Sequence, residues 1–147
     1  MNPLKKYGPL VLVLALAFWF ARPMFRSGSI EADHINTVTA ETFADWVHSE
    51  SGWVIVDFWA PWCGPCRVLL PVLDDLAEAL AGQVDFVKVN VDEEPALAQR
   101  FHIQSIPHVY LFYNGRPIDS FIGFKNKARI KSWLEEQMSP MEAGMPS

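Results

Sequence analysis

The chain has 147 residues, 50% of them hydrophobic and 20% charged, and a formal net charge of −5. That is enough for one domain with its own core, and a negative balance without a basic stripe excludes nucleic acid as the natural partner. Charge is unevenly placed: residues 1–26 hold Lys5, Lys6, Arg22 and Arg26 and no acid, whereas from Asn36 onward 8 basic residues face 15 acidic ones.

The first 26 residues read as a separate object. Lys5 and Lys6 precede an unbroken apolar run from Leu10 to Ala21, and Arg22 and Arg26 follow it. The strict run suits the apolar stretch of a signal peptide. Counted from Tyr7 to Phe25, with Arg22 reaching for the headgroups, it makes a helix about 28 Å long, close to a bilayer core of roughly 30 Å. Tyr7, Trp19 and Phe25 suit the membrane interfaces. Small residues are poorly placed for cleavage, since Trp19 stands two residues before Ala21. The reading is an uncleaved signal-anchor that contacts the membrane through residues 7–25, with a cleaved signal peptide as the alternative. Anchors of this form leave the amino terminus inside. The expected setting is therefore a bacterial inner membrane, with the domain on the periplasmic side.

Residues 27–34 form a polar tether. Residues 35–38 suit a first strand, and Thr39 can cap a helix over 40–49 with Phe43, Trp46 and Val47 on its apolar side. Ser51-Gly52 turn the chain into 53–60, a continuous apolar run that fits a central buried strand. A helix over about 63–81 follows, with Val68, Leu69, Val72, Leu73, Leu76 and Leu80 as its buried stripe and Pro71 as a bend. Residues 84–91 make the next strand, and Pro95 opens a short helix to Phe101. Strands over 109–113 and 118–122 flank Asn114-Gly115, a favoured hairpin dipeptide. A last helix spans 127–138, with Ile130, Trp133 and Leu134 inward, before a disordered tail over 139–147. The order predicts an α/β domain: one mixed sheet with helices on both faces.

Cys63 and Cys66 are the only cysteines, within Trp62-Cys63-Gly64-Pro65-Cys66 where the central strand meets the long helix. Thiols three residues apart at a helix start lie close enough to bridge, and the unpaired N–H groups there favour a thiolate. That combination is a reversible dithiol/disulfide couple. Structural zinc would need further ligands, and His34, His48, His102 and His108 stand at no metal-ligand spacing near the pair. Arg67 follows Cys66 where a c-type haem would need His. A purely structural disulfide is the plain alternative, although so short a loop removes little chain entropy. Cys63, nearer solvent, reads as the attacking thiolate and Cys66, one turn deeper, as the resolving thiol. Pro65 suits a helix start. Neither Gly64 nor Pro65 offers the thiolate a donor or a charge, which favours a reductant over a strong oxidant. Asp57 lies in an apolar strand, where its pKa should rise, and Lys88 on the next strand reads as its partner. A buried structural ion pair is the alternative reading of the two.

The motif, together with Val56-Asp57-Phe58-Trp59-Ala60, Pro71, Lys88-Val89-Asn90-Val91-Asp92, Ile106-Pro107, Phe112-Tyr113-Asn114-Gly115 and Gly123, resembles the thioredoxin family over about residues 35–138. The resemblance implies a thioredoxin fold, a central mixed sheet of about five strands flanked by four helices. It also implies thiol–disulfide exchange with no cofactor beyond the Cys63–Cys66 pair, and a proton-accepting role for Asp57 toward the buried cysteine. Ile106-Pro107 resembles the loop whose proline is cis. With Trp62 and Gly123 it would form the surface that takes an extended client. Trp62 would shield the sulfurs; Trp59 reads as core. His108 departs from the usual Thr, and Ser105 and His102 replace common glycines. His108 reads either as an imidazole that, when charged, stabilises the Cys63 thiolate, or as a solvent-facing side chain.

The sequence thus points to a monomeric protein-disulfide reductase acting on exported, disulfide-bearing clients and fed by a thiol electron donor such as a membrane relay. A thiol oxidase of the same fold and a non-catalytic peptide-binding or assembly module are the alternatives.

Overall fold

The computed structural model describes residues 32–143. The anchor expected over 1–26 and most of the tether lie outside those residues. Among the described residues, no helix is long and apolar enough to cross a membrane.

The sheet is built around β2 (Trp53–Trp59), whose residues are buried except at its last position. A strand covered on both faces needs apolar side chains at nearly every position, and the run 53–59 supplies them. β3 (Asp85–Asn90) pairs with it in parallel, Asp57 opposite Lys88. β4 (His108–Tyr113) pairs with it antiparallel, Phe58 opposite His108. The short β1 (Asn36–Thr37) and β5 (Arg116–Ile122) close the edges, giving the order β1-β3-β2-β4-β5. Asn114 and Gly115 both take positive φ, 47° and 79°, as a tight hairpin between β4 and β5 requires.

Four helices lie between and after the strands: α1 (Phe43–Val47), α2 (Gly64–Ala79), α3 (Pro95–Arg100) and α4 (Lys127–Ala143). Val54, Val56 and Phe58 point to one face and join Phe43, Val47, Val87, Val89, Leu97 and Phe112 in a core. By strand alternation Ile55 and Asp57 point to the other face. There Phe121 meets Trp133 of α4 edge-on at 5.0 Å.

Several extents differ from the sequence reading. Thr39 does not cap α1: its N–H donates to the Thr42 hydroxyl at 3.1 Å, and the helix begins only at Phe43. Local bonds of this kind compete with helix formation. The buried stripe of α2 is Cys66, Leu69, Leu70, Leu73, Leu76 and Ala77, with Val68 57% exposed. Burial of Cys66 sets that phase, since its helical neighbours are three, four and seven residues on. The tail expected from 139 is helical as far as Ala143. Ser139 donates its hydroxyl to the Glu135 carbonyl at 2.7 Å, and the good helix formers after Pro140 carry the helix on. The tether also ends early, because the His34 N–H donates to Asp74 of α2 at 2.8 Å.

Candidate active site

Cys63 and Cys66 are joined as a disulfide with their Cα atoms 5.3 Å apart. Cys63 is the N-cap of α2: its backbone is extended and its Sγ accepts the N–H of Cys66 at 3.2 Å. A turn in which the Cys63 N–H donates to the Ala60 carbonyl at 3.1 Å sets this entry. The capping position, usually filled by an oxygen, here holds a sulfur, so one of the helix's unpaired donors is spent on it. Cys63 is 4% exposed and Cys66 not at all. Gly64 and Pro65 are exposed beside them, and the space where a Gly64 Cβ would stand is open. Ala60 completes this small cluster, and Trp59, Val91 and Ile106 pack on it. Trp59, read as core, therefore packs on the cluster that holds the cysteine pair.

Asp57 is fully buried, and neither carboxylate oxygen has a hydrogen-bond partner. Burial raises its pKa from 3.8 to about 7, against the opposing pull of the Lys88 charge. Lys88 lies opposite it in the β2–β3 register, 8% exposed, with its Nζ 5.4 Å from the centre of the Trp59 ring. Desolvation outweighs the neighbouring cation, which leaves a carboxyl able to gain or lose a proton near neutral pH.

The Ile106–Pro107 peptide is cis. The Gly123 N–H donates to the Pro107 carbonyl at 2.8 Å, tying the end of β5 to the start of β4. Gly123 has φ +84°, which a side chain would resist. Ile122 and Phe124 on either side of it are 59% and 49% exposed. Sequence reasoning missed these two; for Ile122 the odd–even parity of β5, with Phe121 inward, was the available signal. Trp62 is 69% exposed, and its indole N–H donates to Asp92 at 2.8 Å. It stands out in solvent at the mouth of α2, held by a carboxylate that the sequence reading did not single out.

His108 does not match the solvent-facing expectation. It is buried, not solvent-facing, and burial lowers its pKa from 6.5, which favours the neutral ring. Its Nε2 lies 3.2 Å from the Ser120 hydroxyl, and its ring stacks on Tyr110 at 4.5 Å. His102, expected to replace a glycine, takes φ +53°, a left-handed conformation that costs a side-chain-bearing residue roughly 1 kcal/mol. Among the described residues no cluster of three or more His, Cys, Asp or Glu could hold a metal ion.

The thioredoxin family model matches residues 34–136. Thioredoxin 1 of Synechococcus elongatus is 43% identical over 101 residues, which is 69% of this chain and 94% of that protein. Thioredoxin 1 of a Nostoc species is 42% identical over the same shares, and a Staphylococcus aureus thioredoxin is 42% identical over 60% of this chain and 86% of its own. With a buried cysteine pair at a helix mouth, a buried carboxyl in the central strand and a cis-proline loop on one five-stranded sheet, the chain belongs to the thioredoxin family.

Proposed function

We propose that this protein is a protein-disulfide reductase that opens disulfides in exported clients from a tethered position on the outer side of a bacterial inner membrane. The observation that carries the chemistry is the Cys63 sulfur at the mouth of α2, where it accepts a backbone N–H. A thiolate formed there keeps that bond and the favourable end of the helix dipole.

In the forward reaction the Cys63 thiolate attacks one sulfur of a client disulfide. The other client sulfur leaves as a thiolate and takes up a proton. Cys66 then loses its proton to the Asp57 carboxylate and attacks the Cys63 sulfur, which breaks the mixed disulfide. The second client thiolate leaves and is protonated in turn. The client has gained two electrons, and the protein holds the Cys63–Cys66 disulfide until a dithiol donor reduces it. Lys88 biases the Asp57 proton, and Pro107, Gly123, Ile106, Ile122 and Trp62 frame the place where an extended client would lie. The tethered location rests on the apolar run from Leu10 to Ala21 with basic residues on both sides.

Reduction of insulin by the full chain, with dithiothreitol as donor, tests the chemistry. Cys63→Ser should bring the rate down to that of dithiothreitol alone, and an unchanged rate would remove the assignment. A Cys66→Ser variant in intact cells should accumulate a mixed disulfide with its client. Recovery of only cytoplasmic proteins in that trap would overturn the proposed location.

A further inference from the structure

We propose that His108 is a positioning residue: its contact with Ser120 is an acid-released clasp on the strand ends that carry Pro107 and Gly123. The consequence for clients rests on the reading that this loop receives them; the clasp itself does not.

The geometry begins with position. His108 is the first residue of β4 and pairs with Ile122, the last residue of β5. The next link outward is the hydrogen bond from the Gly123 N–H to the Pro107 carbonyl. Among the described residues, the side-chain hydrogen bond of the ring joins these same two strands, Nε2 to Ser120 Oγ at 3.2 Å. The other nitrogen, Nδ1, is buried with no partner. A neutral imidazole can leave that nitrogen as a bare acceptor. A charged one turns both nitrogens into donors, and a buried, charged N–H without a partner is strongly disfavoured.

Among the described residues, no acid faces the ring from the strands packed against it. On β2 the residue opposite is Phe58, and Asp57 points to the far face of the sheet. On β5, Asp119 is turned to the indole N–H of Trp133 at 2.7 Å. On β4, Tyr110 stacks on the ring and donates its hydroxyl to the Phe101 carbonyl at 3.0 Å. Arg100, at the end of α3, sits over the Phe101 ring. Burial alone lowers the pKa of His108, in keeping with these surroundings.

Protonation is relieved most cheaply by parting the strand ends, because His108 and Ile122 are terminal and strand ends open at far lower cost than strand centres. Parting them lets water reach Nδ1 and loosens the Gly123–Pro107 bond. Acid would thus release the client-facing loop while β2 and β3 stay paired.

Amide exchange of the oxidised full chain, corrected for intrinsic rate, reads the clasp directly. Between pH 7.5 and 5.5 the protection of the Gly123 amide, relative to amides in the middle of β2, should fall by about tenfold. In His108→Gln, which cannot take up the proton, the ratio should stay constant. His108→Phe keeps the stack on Tyr110 and serves the same purpose should the Gln variant fold poorly. A constant ratio in the unaltered protein, or an equal fall in protein and variants, overturns the clasp. The KM for insulin should rise over the same interval in the unaltered protein and not in the variants, whereas the loss of thiolate lowers kcat in all of them. A fall in protection without a rise in KM would leave the clasp standing and remove the loop from the client-binding surface.

Discussion

Asp57 and His108 sit on adjacent central strands, both buried, yet on opposite faces of the sheet and in opposite relations to pH. In the β2–β4 register Asp57 faces Val109 and Phe58 faces His108, so the two groups are one position apart along the sheet. Burial penalises the charged form of each. For the acid the charged form is the deprotonated one, so its pKa rises to about 7; for the imidazole it is the protonated one, so its pKa falls. Asp57 has Lys88 to offset part of that cost, while His108 has a hydroxyl and an aromatic ring. The same physical cause therefore gives a group poised to exchange protons on one face and a group held neutral on the other.

The largest test of this contrast lies at Asp57. The unfolded chain loses the Asp57 proton around pH 3.8 and the folded chain around pH 7. Its contribution to stability is therefore undiminished below pH 3.8, falls as pH rises between the two values, and stays low above 7. The full difference is on the order of 4 kcal/mol, at about 1.4 kcal/mol for each pH unit. Asp57→Asn should abolish that slope and make the protein more stable than the unaltered chain at pH 8, with the gap closing toward pH 4. Denaturant unfolding at several pH values measures it, and parallel curves for the two proteins would refute the buried-acid account. His108 has the reverse sign: its contribution is whole above the usual imidazole value of 6.5 and is lost as pH falls below it.

Lys88 gives a smaller, directional effect on the same curve. Its charge lowers the Asp57 pKa, so Lys88→Met should move the pH at which stability levels off upward from about 7. A carbon-detected NMR titration of the Asp57 carboxyl reads the shift without relying on stability. A midpoint that stays in place would mean that the two side chains are not coupled.

The fold was legible because each element carries its own local signal. Residues 53–59 are apolar except for Asp57, Asn114-Gly115 fixes the hairpin, and the cysteines stand where strand gives way to helix. Where several apolar residues stood in a row, the local pattern was ambiguous. In α2, Val68 and Val72 compete with Leu69, Leu70 and Leu73 for the core, and the need to bury Cys66 decided the phase. The raised pKa of Asp57 followed from one charged residue in an apolar strand. The setting of His108 could not follow from its neighbours in sequence, because its partner Ser120 arrives from another strand and its ring partner Tyr110 stacks on it only once β4 is formed. Lys88 was readable across strands because it, too, is a lone charge in an apolar strand, whereas Ser120 and Tyr110 carry no such mark.

The smallest expected effect supplies the control, since it concerns a histidine at the surface. His34 holds Asp74 through both its backbone N–H, at 2.8 Å, and its Nδ1, at 3.3 Å from the second carboxylate oxygen. His34 is 44% exposed and Asp74 21%, so water screens the pair and both side chains lose freedom in forming it. Asp74→Ala should cost less than about 1 kcal/mol at neutral pH, and less again in 1 M salt, where charges are screened over roughly 3 Å. Denaturant midpoints at low and high salt measure both quantities. A larger, salt-independent loss would show that the backbone bond, not the charge, holds the start of the domain to α2. The contrast with His108 would then lie in which atom of the histidine is tied down, and burial alone would not explain why one matters more than the other.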